Sequence, residues 1–136
     1  MIPAPQRSSL STATTRGVRV DVAPEFLPSR SDPRNGQWMF AYDVTIQNEG
    51  PERVQLISRH WTITDASGRV EEVRGPGVVG EQPVLEPGGK YSYRSGCPLS
   101  TPMGTMHGTY QMVTARGERF DAEIAPFTLV EPYALN

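Results

Sequence analysis

Gly75-Pro76-Gly77-Val78-Val79-Gly80 has the spacing GxGxxG, and Arg74 stands directly before it. In a dinucleotide-binding unit such glycines bring the backbone up to a pyrophosphate at the start of a helix. That chemistry needs a helix after the last glycine. Here Pro83, Pro87 and Gly88 follow closely and stop any helix of useful length. No strand-helix-strand pattern surrounds the motif, which argues against a Rossmann fingerprint. Two readings remain open. Successive N–H groups in the loop can form an anion nest, assisted by Arg74. Alternatively, the glycines only let the chain cross the end of a sheet with positive φ. The candidate ligand- or partner-contacting residues are therefore Arg74, Gly75, Gly77 and Gly80.

The remaining reactive side chains form no constellation in sequence. A structural zinc site wants four ligands, usually Cys and His, whereas His60, His107 and the single Cys97 are far apart. Cys97 lies between Gly96 and Pro98 with no neighbouring histidine, so a small buried hydrophobe is expected rather than a nucleophile. Ser100-Thr101-Pro102 is unlike a nucleophile elbow. No carboxylate pair marks a general acid and base. The expectation is a non-enzymatic protein without catalytic residues, bound metal or cofactor.

The chain has 136 residues, the size of one domain. Thirteen Lys and Arg stand against fifteen Asp and Glu, with Lys90 the one lysine. A nucleic-acid module normally carries a basic excess, so that partner class is disfavoured. One cysteine excludes an intramolecular disulfide and suits a reducing compartment. No apolar run is long enough to span a membrane. A cytoplasmic location follows as the expectation.

Thirteen glycines and thirteen prolines point to many turns and few long helices. Val18, Val20 and Val22 alternate with Arg19 and Asp21, the period of a strand with one dry face. Trp38, Phe40, Tyr42, Val44 and Ile46 share one side of a second strand. Their strict alternation assigns them to a core rather than to a base-stacking platform. Residues 54–64 are apolar on both sides, which predicts a bulge or kink near Ser58 to His60. Tyr91 and Tyr93 mark a short strand, and Gly96 to Gly104, with two prolines, reads as an irregular surface segment. Further strands are expected over residues 105–114 and 120–124, with 127–130 extending the edge. The sum is an all-β fold, an antiparallel β-sandwich of seven or eight strands. Residues 1–15 are expected to form a flexible N-terminal tail, 16–130 a single sandwich domain, and 131–136 a C-terminal tail.

Several segments in order carry a resemblance: residues 58–65 (SRHWTITD), 72–83 (EVRGPGVVGEQP), 95–99 (SGCPL), Thr101-Pro102, and 104–112 with Gly108-Thr109-Tyr110. From Arg16 to Leu129 the chain resembles the ApaG family. The resemblance implies an immunoglobulin-like sandwich of the fibronectin type III kind, and a small cytosolic protein in bacteria. It further implies genes beside those of a diadenosine tetraphosphate hydrolase and an RNA adenine dimethylase, and a link to cobalt resistance and magnesium efflux. Related domains in eukaryotic F-box proteins and in a polymerase-delta interacting protein look like interaction modules. The family supplies no catalytic residues to carry over, and its glycine signature falls on Gly75, Gly77 and Gly80. One departure is Ile124-Ala125-Pro126-Phe127, where many members place the proline one position earlier; that puts the last edge strand's shape in question. The leading expectation is a protein-interaction or regulatory module with an unidentified protein partner. The alternatives are a binder of a phosphorylated small molecule or nucleotide at the glycine loop, and a role in divalent-cation homeostasis. An exposed strand edge also makes a homodimer an expected arrangement.

Overall fold

Alternation of apolar and polar side chains gives each strand one dry face, and two such faces close on each other. The computed structural model describes residues 10–132. Nine strands run in order: β1 (Ser11–Thr15), β2 (Val18–Phe26), β3 (Trp38–Asn48), β4 (Val54–Asp65), β5 (Val70–Pro76), β6 (Val84–Leu85), β7 (Lys90–Leu99), β8 (Met103–Thr114) and β9 (Arg119–Val130). One sheet has the order β1-β2-β3-β7, the other β5-β4-β8-β9. The two-residue β6 joins β4 at Val54 and Gln55, past the stretch that β5 occupies. All these pairings are antiparallel. This is an all-β sandwich of the immunoglobulin and fibronectin type III-like kind.

The alternating sets meet as expected. Val20 and Val22 face Ile46 and Val44 within one sheet, Val18 lies opposite Asn48, and these residues and Phe40 are essentially buried. Trp61 of β4 crosses the interface. Its ring stands edge-on to Tyr42 at 5.3 Å, to Phe127 at 5.9 Å and to Tyr110 at 6.2 Å. Edge-to-face packing at these separations adds to the burial of large apolar area.

Two register shifts shape the second sheet. Between β4 and β8 the register slips between Leu56 and Ser58, so Ile57 is the extra residue. The kink expected near Ser58 to His60 is therefore real and sits one residue earlier. Between β8 and β9, Met106 faces Phe127 while Gly108 faces Ile124. Ala125 and Pro126 thus oppose His107 alone. Pro126 occupies a bulge on an edge strand, where a missing N–H breaks no ladder. The strand runs on through Val130.

Three expectations need correction. The count is nine strands among the described residues rather than seven or eight. Residues 11–15, assigned to a flexible tail, form β1 on the edge of β2. They carry no apolar alternation. The neighbouring β9 holds them as well, through the Glu123 N–H donating to Thr15 Oγ1 at 3.0 Å. The remainder of that tail (1–9), and 133–136 of the C-terminal one, lie outside the described residues. Gly96 to Leu99 is strand rather than surface irregularity: Cys97 pairs with Phe40 and Leu99 with Trp38, both buried. Pro98 fits because its backbone faces away from β3, where no donor is needed.

Asn48 closes the end of β3. It is 1% exposed. Its side-chain amide donates to the carbonyls of Glu52 at 2.8 Å and Leu85 at 3.0 Å, and accepts from the Gly50 N–H at 3.0 Å. Asn48→Ala leaves these groups, the Leu85 carbonyl buried and the other two partly so, without this partner. The expected loss is about 2 to 4 kcal/mol, read as a lower urea midpoint at unchanged slope.

Candidate functional site

Beyond β5 the chain must leave the sheet, and the glycine segment makes the exit. The Gly77 N–H donates to Ile57 O at 2.8 Å as the last rung on β4. Val78 then turns inward and is 1% exposed. Val78 and Glu81 exchange backbone hydrogen bonds at 2.8 and 2.9 Å. Between them Val79 and Gly80 have φ of 42° and 83°, so both centre residues of this two-residue hairpin are left-handed. That is the sign pattern of a type I′ turn. Gly77 has φ of 59°, and a Cβ there would run into the carbonyl of Glu81. These are the reasons for glycine at 77 and 80; no helix follows.

An arginine holds the exit in place. Arg59 lies on the inward row of β4 with Trp61 and Ile63, because the Ile57 bulge changes the phase of the strand. Its guanidinium crosses the backbone at Gly75, where an added Cβ would come within 3.1 Å of it. Its Nη1 donates to the carbonyls of Pro76 and Gly77, both at 3.0 Å. Gln82 donates to Ile57 O at 2.9 Å, and Gln55 to Gln82 O at 3.1 Å. Bonds from a cationic donor are among the stronger ones in proteins. Arg59 also borders a tyrosine cluster. The hydroxyls of Tyr93 and Tyr110 share a hydrogen bond. Burial raises both phenols well above their ordinary pKa, an effect the nearby guanidinium partly offsets.

The four candidates separate in space. Gly75, Gly77 and Gly80 belong to one feature: Gly75 is a shelf for Arg59, and the other two make the turn. Arg74 is on the opposite row of β5, largely exposed, 3.6 Å from Glu72. Sequence reading passed over Arg59. The signal was there: an arginine in phase with Trp61 and Ile63 must point inward and find acceptors.

The geometry restricts the chemistry. The amides of Gly77, Val78 and Glu81 are spent on backbone carbonyls, so they are not turned toward an anion. Cys97 is buried, and burial, with Glu71 nearby, pushes its thiol up to about 11. At neutral pH it is a thiol rather than a thiolate. His60 Nε2 lies 2.7 Å from Glu72 Oε1 on the outer face, and His107 is on the same face opposite Thr62. Among the described residues no three His, Cys, Asp or Glu side chains gather as a metal site. A cavity of about 310 Å³ lies between the ends of β5 and β7, bordered by Asp65, Arg69, Glu71, Leu99 and Ser100. The Asp65 carboxylate there is occupied by Ser67 and the Arg69 N–H. No described helix is long and apolar enough to cross a membrane.

Residues 28–114 match the model of the ApaG domain. A Protein ApaG from Rhodospirillum centenum is 57% identical over 119 residues, covering 88% of this chain and 92% of that protein. One from Parvibaculum lavamentivorans is 52% identical over 123 residues, covering 90% and 95%. A crystal structure of a Bordetella pertussis protein described as ApaA superposes with a TM-score of 0.84 at 52% identity, covering 86% of this chain and 95% of that one.

Arg59→Met removes the donor to two loop carbonyls. Amide exchange at Gly77, Val78 and Glu81 is expected to accelerate about tenfold or more, with a stability loss of about 2 kcal/mol; exchange monitored by NMR reads both. At Glu72, the hydrogen bond from His60 and its charge, then Arg74, hold the carboxyl below the ordinary glutamate range. A lowered acid stabilises the fold above its unfolded pKa and loses that contribution as pH falls through the folded value. The carboxyl carbon of Glu72 should therefore titrate at lower pH than a free glutamate, and His60→Gln should move its midpoint back up.

Proposed function

The chain belongs to the ApaG family, and on that premise we propose that it is a non-enzymatic β-sandwich module that binds a protein partner through the hairpin tip at Val79 and Gly80. One observation carries this reading. Val79 is β-branched, has φ of 42° and is 57% exposed. A side chain of this kind in left-handed backbone costs on the order of 1 to 3 kcal/mol. Its exposure returns little burial to the fold. A constrained, apolar residue at the tip of a fastened hairpin is what a docking contact requires. Arg59 and Val78 supply the fastening, so little ordering remains to be done on binding.

An apolar tip with its neighbouring amides occupied favours a protein surface over a phosphorylated small molecule. The cation-related phenotypes that the family resemblance implies fit this module as regulation through a partner, since His60 and His107 lie on the outer face while Cys97 faces the core. A cytosolic location is part of the proposal, in keeping with a single reduced cysteine.

Val79→Gly relieves the backbone and is expected to raise stability by about 0.5 to 1 kcal/mol while abolishing partner binding. Val79→Glu should abolish binding without that gain. Tagged wild-type protein and both variants are compared for retained proteins by quantitative mass spectrometry, alongside thermal melts. A partner retained equally by all three defeats the proposal. Amide shifts at residues 77–81 on adding millimolar ATP, diadenosine tetraphosphate or pyrophosphate would replace it with the small-molecule reading.

A further inference from the structure

The second sheet ends at β5 and the first at β7, whereas β1 and β9 shield each other across the Thr15–Glu123 bond and the stacking of Arg16 on Phe120. Backbone hydrogen bonds fix which groups each open edge presents. The Gly77 N–H bonds to Ile57 and the Asp65 N–H to Arg69. With the register of β4 and β5, residues 69, 71, 73, 75 and 77 bond to β4. Val70, Glu72, Arg74 and Pro76 therefore turn their backbone groups outward. The same reasoning on β7 runs from Asn48 N–H to Gly89 O. Lys90, Ser92, Arg94, Gly96 and Pro98 face outward there.

The two edges differ in charge logic. On β7 the charged residues of the outward row are both cations, Lys90 and Arg94, with Pro98 removing a donor, a pattern that discourages pairing. On β5 the row reads apolar, acid, base, proline: Val70, Glu72, Arg74, Pro76. Turned end for end about Val73, this row complements itself. Glu72 falls opposite Arg74 of the second copy, Arg74 opposite its Glu72, and Val70 opposite its Pro76. The parity is right for a ladder, because outward-bonding residues meet outward-bonding residues. Val70 is 58% exposed and has a reason to be covered. Pro76 can offer no N–H, and Arg59 already occupies its carbonyl, so the ladder ends there.

We propose that two copies of this chain pair antiparallel through β5, with a two-fold axis at Val73, making one sheet continuous across the dimer. The contact is isologous and closes on itself, as a two-fold requires. Opposite charges directly across a ladder favour pairing and like charges oppose it. Arg74, which takes no part in the glycine hairpin, contributes here instead. The inference is independent of the hairpin tip, and Val79 substitutions leave the dimer unchanged.

Sedimentation of the full chain over micromolar to millimolar concentration tests it. Wild type is expected to show a monomer–dimer equilibrium. Arg74→Glu and Glu72→Arg each place like charges opposite one another twice, and each weakens self-association about tenfold or more. Mixed together, the two single variants restore both opposite-charge pairs and form a heterodimer. Val73→Cys in a Cys97→Ser background should cross-link on oxidation, since facing residues on the axis approach to about 4.5 Å between Cα atoms. Val70→Cys in the same background should not. Circular dichroism checks that each variant is folded. A wild type that stays monomeric throughout, a dimer indifferent to both charge reversals, or an edge that takes up only unrelated strand peptides each overturns the proposal.

Discussion

One extra residue in β4 decides where Arg59 points. Before the bulge at Ile57, the inward row contains Leu56; after it, the row contains Arg59, Trp61 and Ile63. Were Ile57 paired in regular register instead of bulged, a strict alternation from Leu56 would send Arg59 and Trp61 outward and His60 and Thr62 into the core. The tryptophan that both sheets pack against would be lost to solvent. The guanidinium that ties down the glycine exit would leave with it. The bulge is thus the condition for both the aromatic centre and the fastened hairpin.

An inward arginine is tolerable only if its donors are met. Arg59 sits at the rim rather than the centre, where the carbonyls of Pro76 and Gly77 have no strand partner of their own. Each group supplies what the other lacks. The tyrosines alongside follow the same logic: the hydroxyls of Tyr93 and Tyr110 satisfy each other between the sheets, so aromatic bulk enters the core with no orphaned polar atom. The interior of this sandwich is apolar along Phe40, Val44 and Ile46 and admits polar groups where they are paired, as at Tyr93, Tyr110 and Arg59.

Much of the fold was legible because alternation is a local signal. Residues 38–47 name their own buried face, and the two-sided apolarity after Val54 announced a bulge. The prolines and glycine after Gly80 ruled out a helix. What escaped detection lacks that signal. β1 is built of Ser, Thr and Ala, and its place is set by β2 and β9 rather than by its own pattern. The end of β7 contains Gly96 and Pro98, residues that mark turns in isolation. A free edge removes the penalty for the proline, and Gly96 leaves room for Met39. At the glycine segment the backbone reason for Gly77 and Gly80 was readable, but the grouping with Arg74 was not. A strand's two-residue period sets Arg74 and Arg59 on opposite faces, and the choice between them depends on a register that no single segment contains.

The seam between β1 and β9 has a bearing on synthesis. Thr15 and Arg16 wait for Glu123 and Phe120, more than a hundred positions downstream. A polypeptide emerging from the ribosome can pair β1 with β2 and β2 with β3 early, yet the outer edge of β1 stays uncovered until β9 has emerged. Loops this long close slowly, and the open ribbon is sticky in the interval. The edge left open in that interval is built of Ser, Thr and Ala, side chains that offer little apolar surface to a second chain.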